Sequence, residues 1–304
     1  MKALVTLWKF SRPHTVIGSV ISILTIYFIL CVNNRTEHIA ILMLALITGI
    51  AGNVFIVGLN QIADVHIDRI NKPWLPIPSG ALNLRQAKAI VYSALAISLG
   101  IALYMTPVFF GIIALSCAIG WAYSMPPFHL KRHHLPAALS ISFVRGLLVN
   151  IGGFVVFSHM IKSSAPMPEN LKILTLFITV FAVVIAWFKD LPDVAGDAKY
   201  RIKTFAILYS PKTALITGTF LLGAAYLFTI CLKLSDFHFS ENPTIETKVL
   251  LFGHIFLLAL FLLNTIAIKL ANHVSVRKFY KRFWWFFFAE YALYLVAYVQ
   301  HDGV

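Results

Sequence analysis

Apolar residues run along this chain for lengths that no soluble element requires. Nearly uncharged stretches cover residues 13–32, 39–61, 90–131 and 215–232, and a helix needs about 20 apolar residues to cross a hydrocarbon layer. Turn and charge signals between the runs divide the chain into about nine helices, over 13–32, 39–60, 87–105, 107–124, 136–158, 171–188, 211–232, 248–270 and 283–299. The fold class this predicts is all-α: a polytopic membrane protein, one domain over 1–304, with about nine transmembrane helices in a single bundle around a central cavity.

Composition sharpens that reading. Of 304 residues 59% are hydrophobic, 12% are charged and mean hydropathy is +0.82, against about 25% charged in an ordinary soluble domain. A net charge of +13 raises the question of nucleic acid, but the basic residues are dispersed between apolar runs and form no stripe, so membrane lipids are the expected surroundings. Nineteen Lys and Arg fall on one set of alternating connections and five on the other (Arg35, Lys162, Lys172, Lys233 and Lys248), with Arg145 inside a run. The positive-inside rule then places the N-terminus in the cytoplasm and the C-terminus outside. Lys2, Lys9 and Arg12 precede a run too long for a signal peptide, so the first helix is expected to be retained. Cys31, Cys117 and Cys231 lie far apart in apolar segments and read as packing residues.

Against this background the acidic residues stand out. Five of the seven aspartates fall in two short segments, Asn60-Gln-Ile-Ala-Asp64-Val-His-Ile-Asp68 and Asp190-Leu-Pro-Asp193-Val-Ala-Gly-Asp197. Asn60, Asp64 and Asp68 recur every four residues, which aligns them on one face if the helix continues. The Asp-x-x-x-Asp spacing returns at Asp193 and Asp197, where Pro192 and Gly196 argue against a regular helix, and a pseudo-repeat relating the two segments is expected. Both clusters end a run on the basic, cytoplasmic side. Carboxylates there repel one another unless a cation lies between them, and Mg²⁺ is typically held by one or two carboxylates together with substrate phosphates. Solvated loop acids are the bland alternative for either cluster alone; two clusters on one side favour a metal–diphosphate bridge.

Cations flank both clusters: Arg69 and Lys72 after the first, Lys189 before the second, Lys199, Arg201 and Lys203 after it, and Lys131 and Arg132 in the third basic loop. Positive-inside topology predicts Lys and Arg here too. Arg145 differs, because an intramembrane ionisable residue is a functional candidate by default. Aromatic residues near the motifs (Trp121, Tyr123, Trp187, Phe188, Tyr200) have faces suited to shielding a carbocation, but most read as lipid-facing or interfacial anchors, as does the run 283–288. His133 and His134 lack further ligands and read as solvated.

With these residues assembled, the chain resembles the UbiA-type superfamily of intramembrane prenyltransferases over nearly its full length. Within it, Phe10-Ser11-Arg12-Pro13-His14-Thr15, Asn60-Gln61, Ile70-Asn71-Lys72-Pro73, Ala122-Tyr123-Ser124-Met125-Pro126-Pro127, Val144-Arg145-Gly146 with Asn150, and Lys189-Asp190-Leu191-Pro192-Asp193 are similar to homogentisate prenyltransferases, above all the phytyltransferases of tocopherol biosynthesis. Two features depart from that pattern: Pro78-Ser79-Gly80 is closer to chlorophyll synthases and archaeal-type lipid prenyltransferases, and His66 stands where an acid is common.

The resemblance implies a Mg²⁺-dependent prenyltransferase. Its substrates would be a prenyl diphosphate, phytyl or geranylgeranyl favoured, and an aromatic acceptor, homogentisate foremost, which loses CO₂ to give a prenylquinone precursor. It assigns Asp64, Asp68, Asp193 and Asp197 to the metal, with Asn60 orienting the first pair. Arg69, Lys72, Lys131, Arg132, Lys189, Asp190 and Lys203 become candidates for the diphosphate, and Arg12, Arg145 and Asn150 for the acceptor's carboxylate. A bacterial inner membrane is the expected setting, and no protein partner is implied. Other acceptors (a hydroxybenzoate, a naphthoate, a chlorophyllide) and a cation-coupled transporter stay open as alternatives, the last disfavoured because both clusters sit at one membrane face.

Overall fold

The computed structural model describes residues 2–34 and 38–299; the side chains of Lys2 and Cys31, all of Arg35 and the chain beyond Val299 lie outside the described residues. The order is α1 (Lys2–Phe10), α2 (Pro13–Asn34), α3 (Ile39–Ala63), α4 (Val65–Asn71), α5 (Leu84–Met105) and α6 (Pro107–Ser124). One continuous helix follows, made of α7 (His134–Ser142), a π-helical stretch (Phe143–Gly152) and α8 (Gly153–Met160). After it come α9 (Glu169–Phe188), α10 (Val194–Lys199), α11 (Phe205–Tyr209), α12 (Pro211–Phe239), α13 (Ile245–Ile266) and α14 (His273–Val299). The described residues contain no strand beyond an isolated bridge between His133 and Lys203.

Local chemistry explains the boundaries. α5 starts at Leu84, three residues before the apolar run suggests, because Asn83 and Gln86 form a reciprocal capping box. Thr106 and Ser210 cap α6 and α12, each followed by a proline whose missing N–H costs nothing in the first turn. Among the described residues eight helices are long and apolar enough to cross a membrane. α14 begins ten residues before the predicted span, so Arg277, Lys278, Lys281 and Arg282 lie within the helix and dilute its apolar character. At 27 residues it still closes the ring, packing between α13 and α2, while α3 packs on α2, α5 and α6, and α9 on α7, the π-helical stretch and α12. With no water to satisfy backbone groups in hydrocarbon, such an all-helical bundle is the form an apolar chain of this kind takes.

The run 283–288 corrects the expectation of lipid-facing anchors. Phe283 and Phe287 are fully buried, Trp284, Phe286 and Phe288 are buried, and only Trp285 is exposed, at 69%. Six consecutive residues cover every face of a helix, and α14 turns Phe283 and Phe287 onto α9: Phe181 stacks on Phe283 at 4.7 Å, Phe188 meets Phe283 at 4.9 Å and Phe181 meets Phe287 at 5.7 Å.

Two polar devices fix the packing. Across the π-helical stretch, Ser142 donates to the Thr179 carbonyl of α9 at 2.7 Å. A Cβ at Gly146 would come within 2.6 Å of the Thr179 Cα, so only glycine permits this approach. Between α13 and α14, the fully buried His254 bonds Glu290 Oε1 through Nε2 at 2.8 Å and the Leu250 carbonyl through Nδ1 at 2.6 Å. Breaking such a pair by removing one partner typically costs about 3–5 kcal/mol, whereas replacing both by apolar residues is often neutral. Glu290→Ala is therefore expected to lower the thermal midpoint in detergent sharply, and the double change His254→Leu with Glu290→Leu to restore most of the loss. Equal midpoints for the single and double variants would refute this account.

Candidate active site

The two Asp-rich segments meet at one end of the bundle. α3 ends at Ala63, Asp64 breaks the helix (φ −97°, ψ 11°), and α4 resumes at Val65. In the second segment α9 ends at Phe188, a turn follows, and Asp193, with dihedrals close to those of Asp64 (φ −102°, ψ 0°), leads into α10 at Val194. In each, the second aspartate's N–H returns to the carbonyl of the first, Asp68 to Asp64 at 2.7 Å and Asp197 to Asp193 at 3.1 Å. The four-residue spacing therefore keeps both carboxylates of a pair together even though neither segment is one unbroken helix.

Asn71, at the end of α4, locks the halves together. Its Oδ1 accepts the Gly196 N–H at 2.8 Å and its Nδ2 donates to Asp197 Oδ1 at 3.3 Å. A Cβ at Gly196 would lie 2.4 Å from that Asn71 oxygen, so the glycine is what allows the contact. The next residue, Lys72, places Nζ on Asp193 and 3.8 Å from Asp68 Oδ1, bridging the two motifs directly. Tyr200 adds a hydrogen bond to the His66 carbonyl at 3.3 Å.

A cavity of about 920 Å³ opens beside this junction. Asn60, Asp64, Asp68, Lys72, Lys131, Lys189, Asp190, Asp193, Asp197, Arg12 and Arg145 all line it. Each carboxylate already has a cation or donor: Asp64 pairs with the buried Lys131 at 2.5 Å, Asp190 with Lys189 at 2.6 Å, and Asp68 has Arg12 at 4.0 Å besides Lys72. Asn60 donates to Ser124 Oγ at 3.4 Å. Arg12, Lys72, Lys131 and Lys189 are thus paired with the acids, while Lys9, Arg145, Arg277 and Lys281 line the cavity without an ion pair to them.

Burial nevertheless strains the acids. It pushes the Asp68 carboxyl up, against the pull of Lys72 and Arg12. Burial, with the charges of Asp190 and Asp193 adding to it, pushes Asp197 up to about 8. Burial likewise lowers Lys131, although Asp64 favours its charge. Asp68 Oδ2 is buried without a hydrogen-bond partner. Among the described residues no three His, Cys, Asp or Glu side chains converge as a complete protein metal site. A hard cation held here would need oxygens from a ligand as well, which is how Mg²⁺ is usually bound, and the Asp68 oxygen that lacks a hydrogen-bond partner, with Asp64 and Asp193 close by, fits that demand.

Other candidates are placed elsewhere. Arg69, Arg132 and Lys203 are exposed and do not line the cavity. The backbones of the last two join the loops instead, Lys203 N–H donating to the Arg132 carbonyl at 2.9 Å. Asn150 is fully buried; it donates to the Gly146 carbonyl at 2.7 Å and accepts from Tyr291 Oη at 3.0 Å, so it holds the π-helical stretch against α14. Arg145 pairs with neither Asp motif and lies over Trp284 and Phe287. The lining also includes residues that sequence reasoning missed as site members: His14, Asn53, Arg277, Lys281 and Trp284. The signal available for His14 was only its place in the Arg12-Pro13-His14 segment; α14's contribution was hidden because its basic residues read as loop charge.

Residues 20–288 match the model of the UbiA prenyltransferase family. The chain is 36% identical to homogentisate phytyltransferase from Synechocystis, over 98% of this chain and 96% of that protein. It is 33% identical to homogentisate phytyltransferase 1 of Arabidopsis thaliana over 94% of this chain and 73% of that one. In fold it is similar to a UbiA homologue from Archaeoglobus fulgidus solved with GPP and Mg²⁺ (TM-score 0.66, 17% identity, covering 96% of this chain and 99% of that one). Helices that cross a membrane, paired Asp-rich turns over a cavity and similarity over nearly the whole length agree: the chain is an integral membrane protein of the UbiA prenyltransferase family.

Proposed function

We propose that this enzyme transfers a phytyl or geranylgeranyl group from its diphosphate to homogentisate with Mg²⁺, releasing CO₂ from the acceptor, and that the Asp-lined end of the bundle faces the cytoplasm. One observation carries the reading: Lys72 and Asn71 join the two Asp motifs into a single wall at the mouth of an apolar cavity. The names of the relatives, homogentisate phytyl-, solanesyl- and geranylgeranyltransferases, support this acceptor and an isoprenoid donor.

Charge accounts for the arrangement. The acids of the wall already hold the cations nearest to them, so these are unavailable to a diphosphate while Lys72 and Lys131 remain on Asp193 and Asp64. Asp64, Asp68, Asp193 and Asp197 would hold Mg²⁺, which when bound neutralises charge developing on the departing diphosphate. Carboxylates so engaged would leave Lys72 and Lys131 available to phosphate oxygens, while Lys189 stays on Asp190 at the cavity wall. Those ammonium groups then act in a water-poor site, where fixed charges stabilise a leaving group best. The donor's C–O bond breaks with its electron pair going to the diphosphate, and the prenyl carbon is attacked by the electron-rich ring. Phe109, Phe157, Trp284 and Phe288 line the cavity and exclude water from the cation meanwhile.

In purified enzyme assayed with homogentisate and phytyl diphosphate, Asp64→Ala and chelation of Mg²⁺ are each expected to abolish prenylquinol and CO₂ together while the thermal midpoint shows the variant still folded. Retained turnover of the variant would remove Asp64 from the site. Gly196→Ala tests the junction: the added methyl displaces Asn71, and turnover should fall about 10- to 100-fold, the scale of misplaced catalytic groups, with the bundle's elution profile unchanged. Wild-type rates in that variant would show that the Asn71–Gly196 contact does not position the motifs.

A further inference from the structure

Arg145 and His14 share one wall of the cavity, and neither serves the Asp motifs. Arg145 projects from the π-helical stretch with its guanidinium carbon 5.2 Å from the ring centroids of both Trp284 and Phe287. A π-turn is rare and recurs at functional sites; here Asn150, bonded to Gly146 and Tyr291, holds it. Gly18 of α2 clears the space, since a Cβ there would lie 3.1 Å from Arg145 Nη1. A guanidinium at this depth is costly, and two ring faces return only about 0.5–2 kcal/mol of cation–π attraction each. Its N–H groups make no hydrogen bond or ion pair with another described residue, and the titratable side chains acting on it are Tyr291 and Tyr280. A planar fork of free donors facing a cavity matches a carboxylate.

His14 lies one helical turn before Gly18 on α2. Its ring centroid is 4.7 Å from that of Trp284, the indole that Arg145 also covers. It lines the cavity and makes no hydrogen bond with another described residue. The charged groups acting on it are Arg12, Arg145, Lys72 and Lys281. None of these is a carboxylate.

We propose that this wall is the acceptor subsite, where Arg145 takes the carboxylate of an aryl-acid acceptor and His14 accepts the proton that the ring loses on prenylation. The assignment rests on the prenyl-transfer reading above. The electrons balance: a ring π pair forms the new C–C bond to the prenyl carbon, the C–O pair leaves with the diphosphate, and the ring C–H pair returns to the ring as its proton moves to an imidazole nitrogen. When the carboxyl group leaves as CO₂ its C–C electron pair stays on the side-chain carbon, which takes up one proton to become a methyl, so the proton leaving the ring through His14 and the proton taken up there balance. The indole of Trp284 lies beside both groups and offers the acceptor ring a face.

The test compares wild type, Arg145→Gln and His14→Ala on homogentisate and on methylhydroquinone, the same ring without its carboxylate, used as acceptor or as competitive inhibitor. Arg145→Gln should weaken homogentisate at least about 10-fold, the scale on which losing a bidentate charged contact falls, while leaving methylhydroquinone and the KM for prenyl diphosphate unchanged. Equal weakening of both ring compounds, or a raised KM for the diphosphate alone, would assign Arg145 to structure or to the leaving group and overturn the subsite. His14→Ala should lower kcat about 100-fold, within the usual reach of general-base catalysis, with both KM values preserved. Added imidazole should restore part of the rate, and ring-deuterated acceptor should show a primary isotope effect absent from wild type. Loss of rate with neither rescue nor isotope effect rejects the proton role. Wild-type turnover of homogentisate is the separate control on acceptor identity, and if it fails the variants are compared on whichever aryl acid wild type prenylates, against that acid's decarboxylated analogue.

Discussion

The contact on which the site depends is the docking of α4 on α10. Two short helices, from segments 129 residues apart, meet because Gly196 has no side chain and Asn71 fills the space with one acceptor and one donor, each used. Lys72 then lies between Asp68 and Asp193 and offsets a repulsion that would otherwise part the motifs. The same lysine would be freed if a cation took over those carboxylates. A buried Asp68 oxygen without a hydrogen-bond partner, and acids that burial drives toward protonation, are features that favour a cationic ligand at this wall.

The remainder of the bundle serves to hold that wall against an apolar chamber. α14 is central to this: its first half brings Arg277 and Lys281 to the cavity, and its second half brings Trp284 and Phe288 while Phe283 and Phe287 pack on α9. Facing it, the π-helical stretch gains an extra residue per turn, which turns Arg145 to the cavity, and its register is held from both sides by Ser142 on Thr179 and by Asn150 on Tyr291. Polar groups inside hydrocarbon are thus of two kinds here. Some, such as His254 with Glu290, knit helices together away from the cavity; others, such as Arg145, face it.

The expected spans and the class of the fold were legible in the chain because a bilayer imposes one length and one polarity on every crossing segment. The four metal-binding candidates were legible too, because so few acids occur that two clusters at equal spacing are conspicuous. Less was readable where one residue type answers to two causes. Lys72, Arg69, Arg132 and Lys203 look alike in a cytoplasmic loop, yet Lys72 bridges the motifs while the other three face outward.

The sequence by itself therefore determined that this protein is a helical membrane bundle with two equivalent acidic turns at one end, since those properties are local: hydrophobic run length, helix period and charge placement. Tertiary structure alone decided which cations reach the acids, that Asn150 braces instead of binding, that the aromatic run of α14 faces inward, and that His14 and Arg145 meet on one indole. Each depends on approaches between helices distant in sequence, fixed by where glycine lets a backbone close in and where a buried polar atom finds its partner, and no pattern along a single segment encodes those distances.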